Sequence, residues 1–106
     1  MPAIKLWMSP GACSLAPHIL LHELGVSFQT VIASTSDGGT LSEEFTRLNP
    51  KQRVPVLAHD DAVITELPAI CTAISSLAPD RQLMGATPLE TVRVYEWMNW
   101  LSGTLH

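Results

Sequence analysis

Residues 3–32, with the sequence AIKLWMSPGACSLAPHILLHELGVSFQTVI, decide the fold class of this chain. Residues 3–8 predict a strand, and the turn after it is marked by proline and glycine. Residues 14–24 predict a helix, and Gly25 supplies its C-terminal stop. Residues 26–32 predict a second strand, so the order favours a parallel βαβ unit. The apolar face of the helix is predicted to consist of Leu15, Ile19, Leu20 and Leu24.

The residues that follow predict a hairpin and a further helix. Residues 42–48 can form a short helix. Two short strands over 54–59 and 62–65 are so close in sequence that they predict an antiparallel hairpin. Its turn, Asp60-Asp61, lacks glycine, so one of the two aspartates is expected to take a positive φ. Residues 66–77 then predict a helix. Its apolar stripe consists of Ala69, Ile70, Ala73, Ile74 and Leu77.

The C-terminal part carries strong start signals for one more helix. Thr87, Pro88 and Glu90 fit the N-cap, N1 and N3 positions of a capping box. No stop signal follows, so this helix is predicted to run to the last residue. A helix that is apolar on several sides needs partners on more than one side, so we expect an exposed apolar patch and association of the chain. The apolar residues at helical spacing are Leu89, Val92, Trp97, Trp100, Leu101 and Leu105.

Composition and charge exclude several classes of protein. The 106 residues are 46% hydrophobic and 15% charged, which suits a globular domain rather than a disordered tail. The net charge is −4 and the basic residues are scattered, which argues against a nucleic-acid surface. No apolar run approaches the length of a membrane span, and the N-terminus lacks the apolar core of a signal peptide. We therefore expect a cytoplasmic protein with free cysteines that binds neither nucleic acid nor membranes.

Three segments resemble glutathione S-transferases, and within that family the bacterial beta class. They are residues 9–18 (SPGACSLAPH), 49–55 (NPKQRVP) and 65–70 (TELPAI). The tail over residues 96–106 resembles the opening of that family's helical domain. The predicted order of elements agrees with the α/β, thioredoxin-like fold that this resemblance implies: βαβ then ββα around a four-stranded mixed sheet, followed by the start of an all-α domain. The implied division is a glutathione-binding domain over 1–79, a linker over 80–86 and the first helix of a truncated helical domain over 87–106.

Cys13 is the candidate for the chemistry. It lies where a turn leads into a helix, and the backbone N–H groups and the helix dipole at such a place favour a thiolate. A buried, unreactive cysteine is the alternative interpretation. The resemblance implies that Cys13 lies against the glutathione sulfur and can form a mixed disulfide with it. The resemblance also implies a neighbouring hydroxyl donor in Ser14 and a hydrogen bond from His106 to the thiolate, whereas a frayed terminal histidine would make no such bond.

Four further residues are implied to bind glutathione. Val54-Pro55 would form a cis peptide whose backbone pairs with the cysteinyl part of the ligand like an added strand. Glu66 would take the α-amino group of the γ-glutamyl part, and the N–H of Leu67 would take its α-carboxylate at the helix N-terminus. The family commonly has serine or glycine where Leu67 stands. The leucine keeps the N–H but provides no hydroxyl, so weaker binding of the carboxylate is expected.

Arg53 and Asn99 complete the implied contacts with glutathione. Arg53 can reach a glutathione carboxylate or can simply be solvated, and both interpretations stay open. Asn99 would approach the glutathione sulfur from the other side of the cleft. His18 and His22, four residues apart on a helix, supply too few ligands for a metal site. Cys71 lies within a helix among alanines and isoleucines and is interpreted as a structural thiol.

Three hypotheses of function follow. The first is a detoxifying glutathione S-transferase, a homodimer that conjugates the thiol of its co-substrate glutathione to a small electrophile without a metal. Thiol–disulfide exchange or peroxide reduction through Cys13 can accompany this activity. The second is a glutaredoxin-like reductase that uses Cys13 alone. The third is a non-catalytic, transferase-like module that binds a partner protein.

Overall fold

The computed structural model describes residues 4–9, 15–33, 43–51 and 54–105. Its strands are β1 (Ile4–Met8), β2 (Gln29–Ile32), β3 (Val56–His59) and β4 (Ala62–Thr65). Its α-helices are α1 (Leu15–Leu24), α2 (Glu43–Leu48), α3 (Leu67–Ser75) and α4 (Pro88–Asn99). A short 3-10 helix covers Pro79–Arg81, and a π-helical stretch covers Trp100–Leu105 directly after α4.

The four strands form one mixed sheet in the order β2-β1-β3-β4. Strand β1 is parallel to β2 and antiparallel to β3, and β3 is antiparallel to β4. Leu6 lies opposite Leu57, and Val56 lies opposite Thr65. This topology confirms the predicted thioredoxin-like arrangement, with the parallel pair in the βαβ half and the hairpin in the ββα half.

Alternation along β1 and β3 divides the core between the two faces of the sheet. On one face, Leu6 and Leu57 pack against helices α1 and α3. The buried residues of this cluster are Ile4, Leu6, Leu21, Leu57, Ile70 and Ile74. On the other face, Trp7 and Val56 pack with Phe45 of α2 and with Ala33. Helices therefore cover both faces of the sheet, and the central strands β1 and β3 bury apolar side chains on each face.

The predicted apolar face of α1 is partly wrong. Leu15 and Ile19 are 54% and 57% exposed, whereas Leu21 and Pro17 are the buried residues of the helix. Leu20 and Leu24 pack at the edge of the core, as expected. The helix carries apolar residues on almost every side, so periodicity alone does not fix which side faces the sheet.

Three predicted segments are shorter in the structure than in the sequence pattern. The strand predicted over 26–32 spans only Gln29–Ile32. The strand predicted over 54–59 begins at Val56, because Pro55 has no N–H to donate to a ladder. The helix predicted over 66–77 spans Leu67–Ser75, and Glu66 precedes it with a φ of 76°. The hairpin turn agrees with its prediction, since Asp60 takes a φ of 54°.

Helix α4 begins with the predicted capping box. The Glu90 N–H donates to Thr87 Oγ1 at 3.2 Å, and the Thr87 N–H donates to Glu90 Oε1 at 3.2 Å. As expected, α4 and the π-helical stretch after it also present large apolar side chains to solvent, namely Leu89, Val92, Trp97, Trp100 and Leu101. None of the helices in the described residues combines the length and apolarity that a bilayer crossing requires.

Candidate functional site

The hairpin brings Pro55 and Glu66 together at one edge of the sheet. Val56 and Thr65 are opposite each other in the antiparallel β3–β4 ladder, so the residue before β3 and the residue after β4 meet at the same level. The Val54-Pro55 peptide bond is cis, as predicted, and Pro55 is buried. The edge therefore combines a backbone segment that has left the ladder with a carboxylate at the start of α3.

Glu66 lies at the N-terminus of α3 without capping it. Its side chain makes no capping hydrogen bond, and its φ of 76° lies outside the helical region. The Glu66 carbonyl accepts from the Ile70 N–H at 3.0 Å, which closes the first turn. Leu67 retains an N–H at this helix end, whereas Pro68 has none. The carboxylate is thus presented outward beside a helix terminus that carries partial positive charge.

Lys51, in the turn that follows α2, contacts this carboxylate. Its Nζ donates to Thr65 Oγ1 at 3.1 Å and forms an ion pair with Glu66. The Lys51 N–H donates to Oδ1 of Asn49 at 3.2 Å, and the Asn49 N–H donates to the Phe45 carbonyl at 2.8 Å. Asn49 is only 2% exposed, so a buried side chain fixes the turn that carries Lys51.

Sequence reasoning missed Lys51, which it counted only as one of the scattered basic residues. The available signal was its position in the turn that enters β3. A hairpin places the residues before its first strand near those after its second, so a long cation there can reach a carboxylate after β4. Glu66 was identified, but its ion pair was not.

The other predicted site residues are distributed as follows. Val54, Pro55, Glu66 and Leu67 lie at the shared edge. Asn99 is the last residue of α4, the helix that packs against α3. The remaining predicted site residues lie outside the described residues, and they are Cys13, Ser14, Arg53 and His106.

Cys71 has the properties of a structural thiol, in agreement with its interpretation. It is buried on α3, and desolvation by burial raises the pKa of its thiol from the ordinary value of 9.0 to about 11. A thiol that stays protonated at neutral pH is a poor nucleophile. Cys71 is therefore not suited to the chemistry that Cys13 is predicted to perform.

His18 and His22 pack their rings with Phe28. The ring centroids of His18 and His22 are 5.0 Å apart, and Phe28 meets both rings edge-on at 5.7 and 5.0 Å. Across the described ranges, His, Cys, Asp and Glu nowhere gather in a group of three or more that could hold a metal ion. These two histidines pack against Phe28, which itself packs against the buried core.

The chain matches known proteins over most of its length. The family model described as "Glutathione S-transferase, N-terminal domain" matches residues 2–76. The glutathione S-transferase GstA of Escherichia coli O157:H7 is 37% identical over 111 aligned positions, which cover 97% of this chain and 53% of GstA. The chain spans about half the length of the curated bacterial transferases it matches.

Solved structures agree with these matches. A glutathione transferase homologue from Sulfitobacter, solved with bound glutathione, superposes with a TM-score of 0.91 at 28% identity and covers 100% of this chain and 51% of its own. The beta-class glutathione S-transferase of Sphingomonas chungbukensis superposes with a TM-score of 0.82 at 37% identity. That match covers 93% of this chain and 51% of the Sphingomonas chain.

Proposed function

Because this chain belongs to the glutathione S-transferase family, we propose that it binds glutathione at the edge formed by Val54, Pro55, Glu66 and Leu67 and transfers the glutathione thiolate to a small electrophile. One observation carries the proposal. The outward carboxylate of Glu66 stands at the helix terminus beside the backbone that leaves the ladder at Pro55. This edge offers a charged anchor and a strand-like anchor side by side, which suits a short peptide with a free amino-acid end.

Each end of the ligand has a candidate partner at this edge. The Glu66 carboxylate accepts hydrogen bonds from the α-ammonium of the γ-glutamyl part. The Leu67 N–H donates to the α-carboxylate, which the terminus of α3 attracts. The Val54 backbone pairs with the cysteinyl part in the manner of an added strand. By resemblance to the family, we include Arg53 in the proposal as a partner of a glutathione carboxylate.

The sulfur chemistry is assigned to residues from both ends of the chain. Cys13 and Ser14 precede α1, and the dipole of that helix favours negative charge on the glutathione sulfur. Asn99 and His106 approach the sulfur from the helical side. The glutathione thiol loses its proton to solvent, and the thiolate forms a C–S bond with the electrophile, whose leaving group departs with its electron pair.

The proposal also assigns a role to each of three segments of the chain. Residues 1–79 form the glutathione-binding domain, and residues 80–86 form a linker. Residues 87–106 form the first helix of a helical domain that completes the electrophile pocket. The exposed apolar side chains of α4 support this role, since they need a covering surface. We infer that the active protein is a homodimer and that it serves detoxification in the cytoplasm.

A redox activity is the second candidate, and one observation favours it. The edge at Pro55 and Glu66 belongs wholly to the residues before α4, so glutathione alone can bind without an electrophile pocket. The Cys13 thiolate would attack glutathione disulfide, form a mixed disulfide and release one glutathione thiolate. Substitution of Cys13→Ala abolishes the added mass of one glutathione under non-reducing conditions while reversible glutathione binding persists.

Calorimetric titration with glutathione tests the proposed site. We expect Glu66→Gln to weaken binding by about tenfold, because a charge-assisted hydrogen bond to the ammonium becomes a neutral one. Glu43→Gln is the matched control, since Glu43 is an exposed carboxylate on α2 that pairs with Arg47. No glutathione binding by the unchanged protein, or equal binding by the Glu66→Gln variant, would refute the site. Conjugation of an aryl chloride activated by nitro groups then tests the transfer step.

A further inference from the structure

Lys51 occupies an unusual position for a surface cation, beside the carboxylate that is proposed to hold the ligand. The side chains of Lys51 and Glu66 are 50% and 64% exposed, so both are accessible to a ligand. The turn that carries Lys51 is fixed by its hydrogen bond to the buried Asn49, which reduces the freedom of the lysine backbone. A long, flexible side chain is thereby held at one end.

The hydrogen-bond capacity of Lys51 is not exhausted. An ammonium group has three N–H donors. One donates to Thr65 Oγ1 and one to the Glu66 carboxylate. For the third, no acceptor occurs among residues 4–9, 15–33, 43–51 and 54–105. Within those ranges the third donor has no protein acceptor, and an anionic group that binds next to Glu66 can supply one.

The N-terminus of α3 is a weaker site for a carboxylate than a helix end that offers all its N–H groups. Pro68 removes one of the N–H groups that a helix end normally offers to an anion. The negative charge of Glu66, at the same helix end, repels an incoming carboxylate. Lys51 neutralises that charge through its ion pair and adds a positively charged donor beside Glu66.

We propose that Lys51 and Glu66 together form a receptor for a zwitterionic α-amino-acid end, in which Glu66 accepts from the ammonium and Lys51 donates to the carboxylate. This inference rests on the proposed function, and it makes Lys51 a specificity-determining residue for the γ-glutamyl part of glutathione. The two side chains separate slightly to admit the ligand, and each exchanges its partner in the ion pair for the opposite charge of the ligand. Two charge pairs with the ligand thus replace the single ion pair between Lys51 and Glu66, and neither side chain is left without a partner.

The test compares two ligands and three variants by calorimetry. The ligands are glutathione and 4-aminobutanoyl-cysteinylglycine, which keeps the amino group and lacks the α-carboxylate. We expect Lys51→Met to weaken glutathione binding by about tenfold and to leave binding of the analogue within about twofold, because only glutathione carries the lost partner of the lysine. Lys51→Arg restores most of the affinity for glutathione. Arg47→Gln is the control, since it removes an exposed cation of α2 that pairs with Glu43.

Other outcomes overturn the inference in distinguishable ways. An equal loss for both ligands would mean that Lys51 acts through general charge or folding. Tighter glutathione binding by Lys51→Met would mean that the lysine is a competing counter-ion of Glu66. Absence of glutathione binding by the unchanged protein would remove the proposed function and this inference with it. If Lys51→Met does not fold, the unchanged protein still decides the matter, because equal affinity for the two ligands contradicts a carboxylate receptor.

Discussion

The hydroxyl groups of Thr72 and Tyr95 lie 3.0 Å apart and join α3 to α4. The Thr72 hydroxyl also donates to the Pro68 carbonyl at 2.7 Å, so the tyrosine extends a short hydrogen-bonded chain between the helices. We expect Tyr95→Phe to lower the free energy of unfolding by about 1 kcal/mol, the usual net value of one such bond. Urea denaturation measures the change.

A double-mutant cycle with Thr72→Val isolates this bond from the one to Pro68. We expect a coupling energy of about 0.5 to 1 kcal/mol, since the two side chains are in direct contact. Additive effects of the two substitutions would show that the Thr72–Tyr95 contact does not stabilise the packing of α4 on α3.

Gly85 and Gly25 both have positive φ, but their surroundings differ. A Cβ at Gly25, where φ is 69°, would meet nothing within 4 Å, whereas a Cβ at Gly85 would lie 2.6 Å from Glu90 Cβ. We expect Gly25→Ala to cost about 1 kcal/mol from backbone conformation alone. Gly85→Ala should cost about 2 to 4 kcal/mol, because the first turn of α4 must also move. Similar thermal stability of the two variants would contradict the predicted clash.

Cys71 should resist alkylation in the folded protein. With its pKa raised by burial to about 11, only about one thiol in a thousand is ionised at pH 8. We expect iodoacetamide at pH 8 to modify Cys13 first and Cys71 only after denaturation, as peptide mass mapping can measure. Rapid modification of Cys71 in the folded chain would contradict its assignment as a structural thiol.

The same shift predicts a pH dependence of stability. Below the ordinary pKa of 9.0 the thiol is protonated whether the chain is folded or unfolded, so its full contribution is present. Above that pH the unfolded state ionises first. The free energy of unfolding should therefore fall as the pH rises from 9 toward 11, and Cys71→Ala should reduce that fall. An unchanged slope in the Cys71→Ala variant would assign the effect to other groups.

The exposed apolar side chains of α4 and of the π-helical stretch after it predict self-association of the 106-residue chain. Trp97 and Trp100 are 58% and 44% exposed, and Leu101 continues the patch. We expect dimers or larger species in sedimentation at micromolar concentration, and monomers after the combined substitutions Trp97→Gln and Trp100→Gln. Ile32→Gln, which changes an exposed apolar residue of β2, should not have this effect. A monomer before any substitution would contradict the prediction.

Local rules predicted most of the fold from the sequence. Gly25, the Asp60-Asp61 turn and the Thr87 capping box act through their immediate neighbours, so their conformations follow from residue type. The face of α1 was predicted only in part, because Pro17 and Leu21 compete with Leu15 and Ile19 for the sheet and only tertiary packing decides between them. The π-helical stretch after Asn99 has no sequence signal that we recognised.

The candidate site was predictable to the extent that it depends on register and family likeness. The pairing of Val56 with Thr65 brings Pro55 to Glu66, and both were predicted. Lys51 was missed, because its contact depends on a long side chain whose turn is fixed by the buried Asn49 rather than on any spacing in the sequence. Such contacts are determined by the packed structure and become visible only there.

The tryptophans lie in two different environments, so they can serve as intrinsic spectroscopic probes of two parts of the protein. Trp7 is 7% exposed in the apolar interior, so we expect its fluorescence emission at shorter wavelength than that of a tryptophan in water. Trp97 and Trp100 form a T-shaped pair with centroids 5.7 Å apart, close enough for excitonic coupling in circular dichroism. Emission from the interior ring and dichroism from the coupled pair thus report on the sheet and on the final helix separately, without any added label.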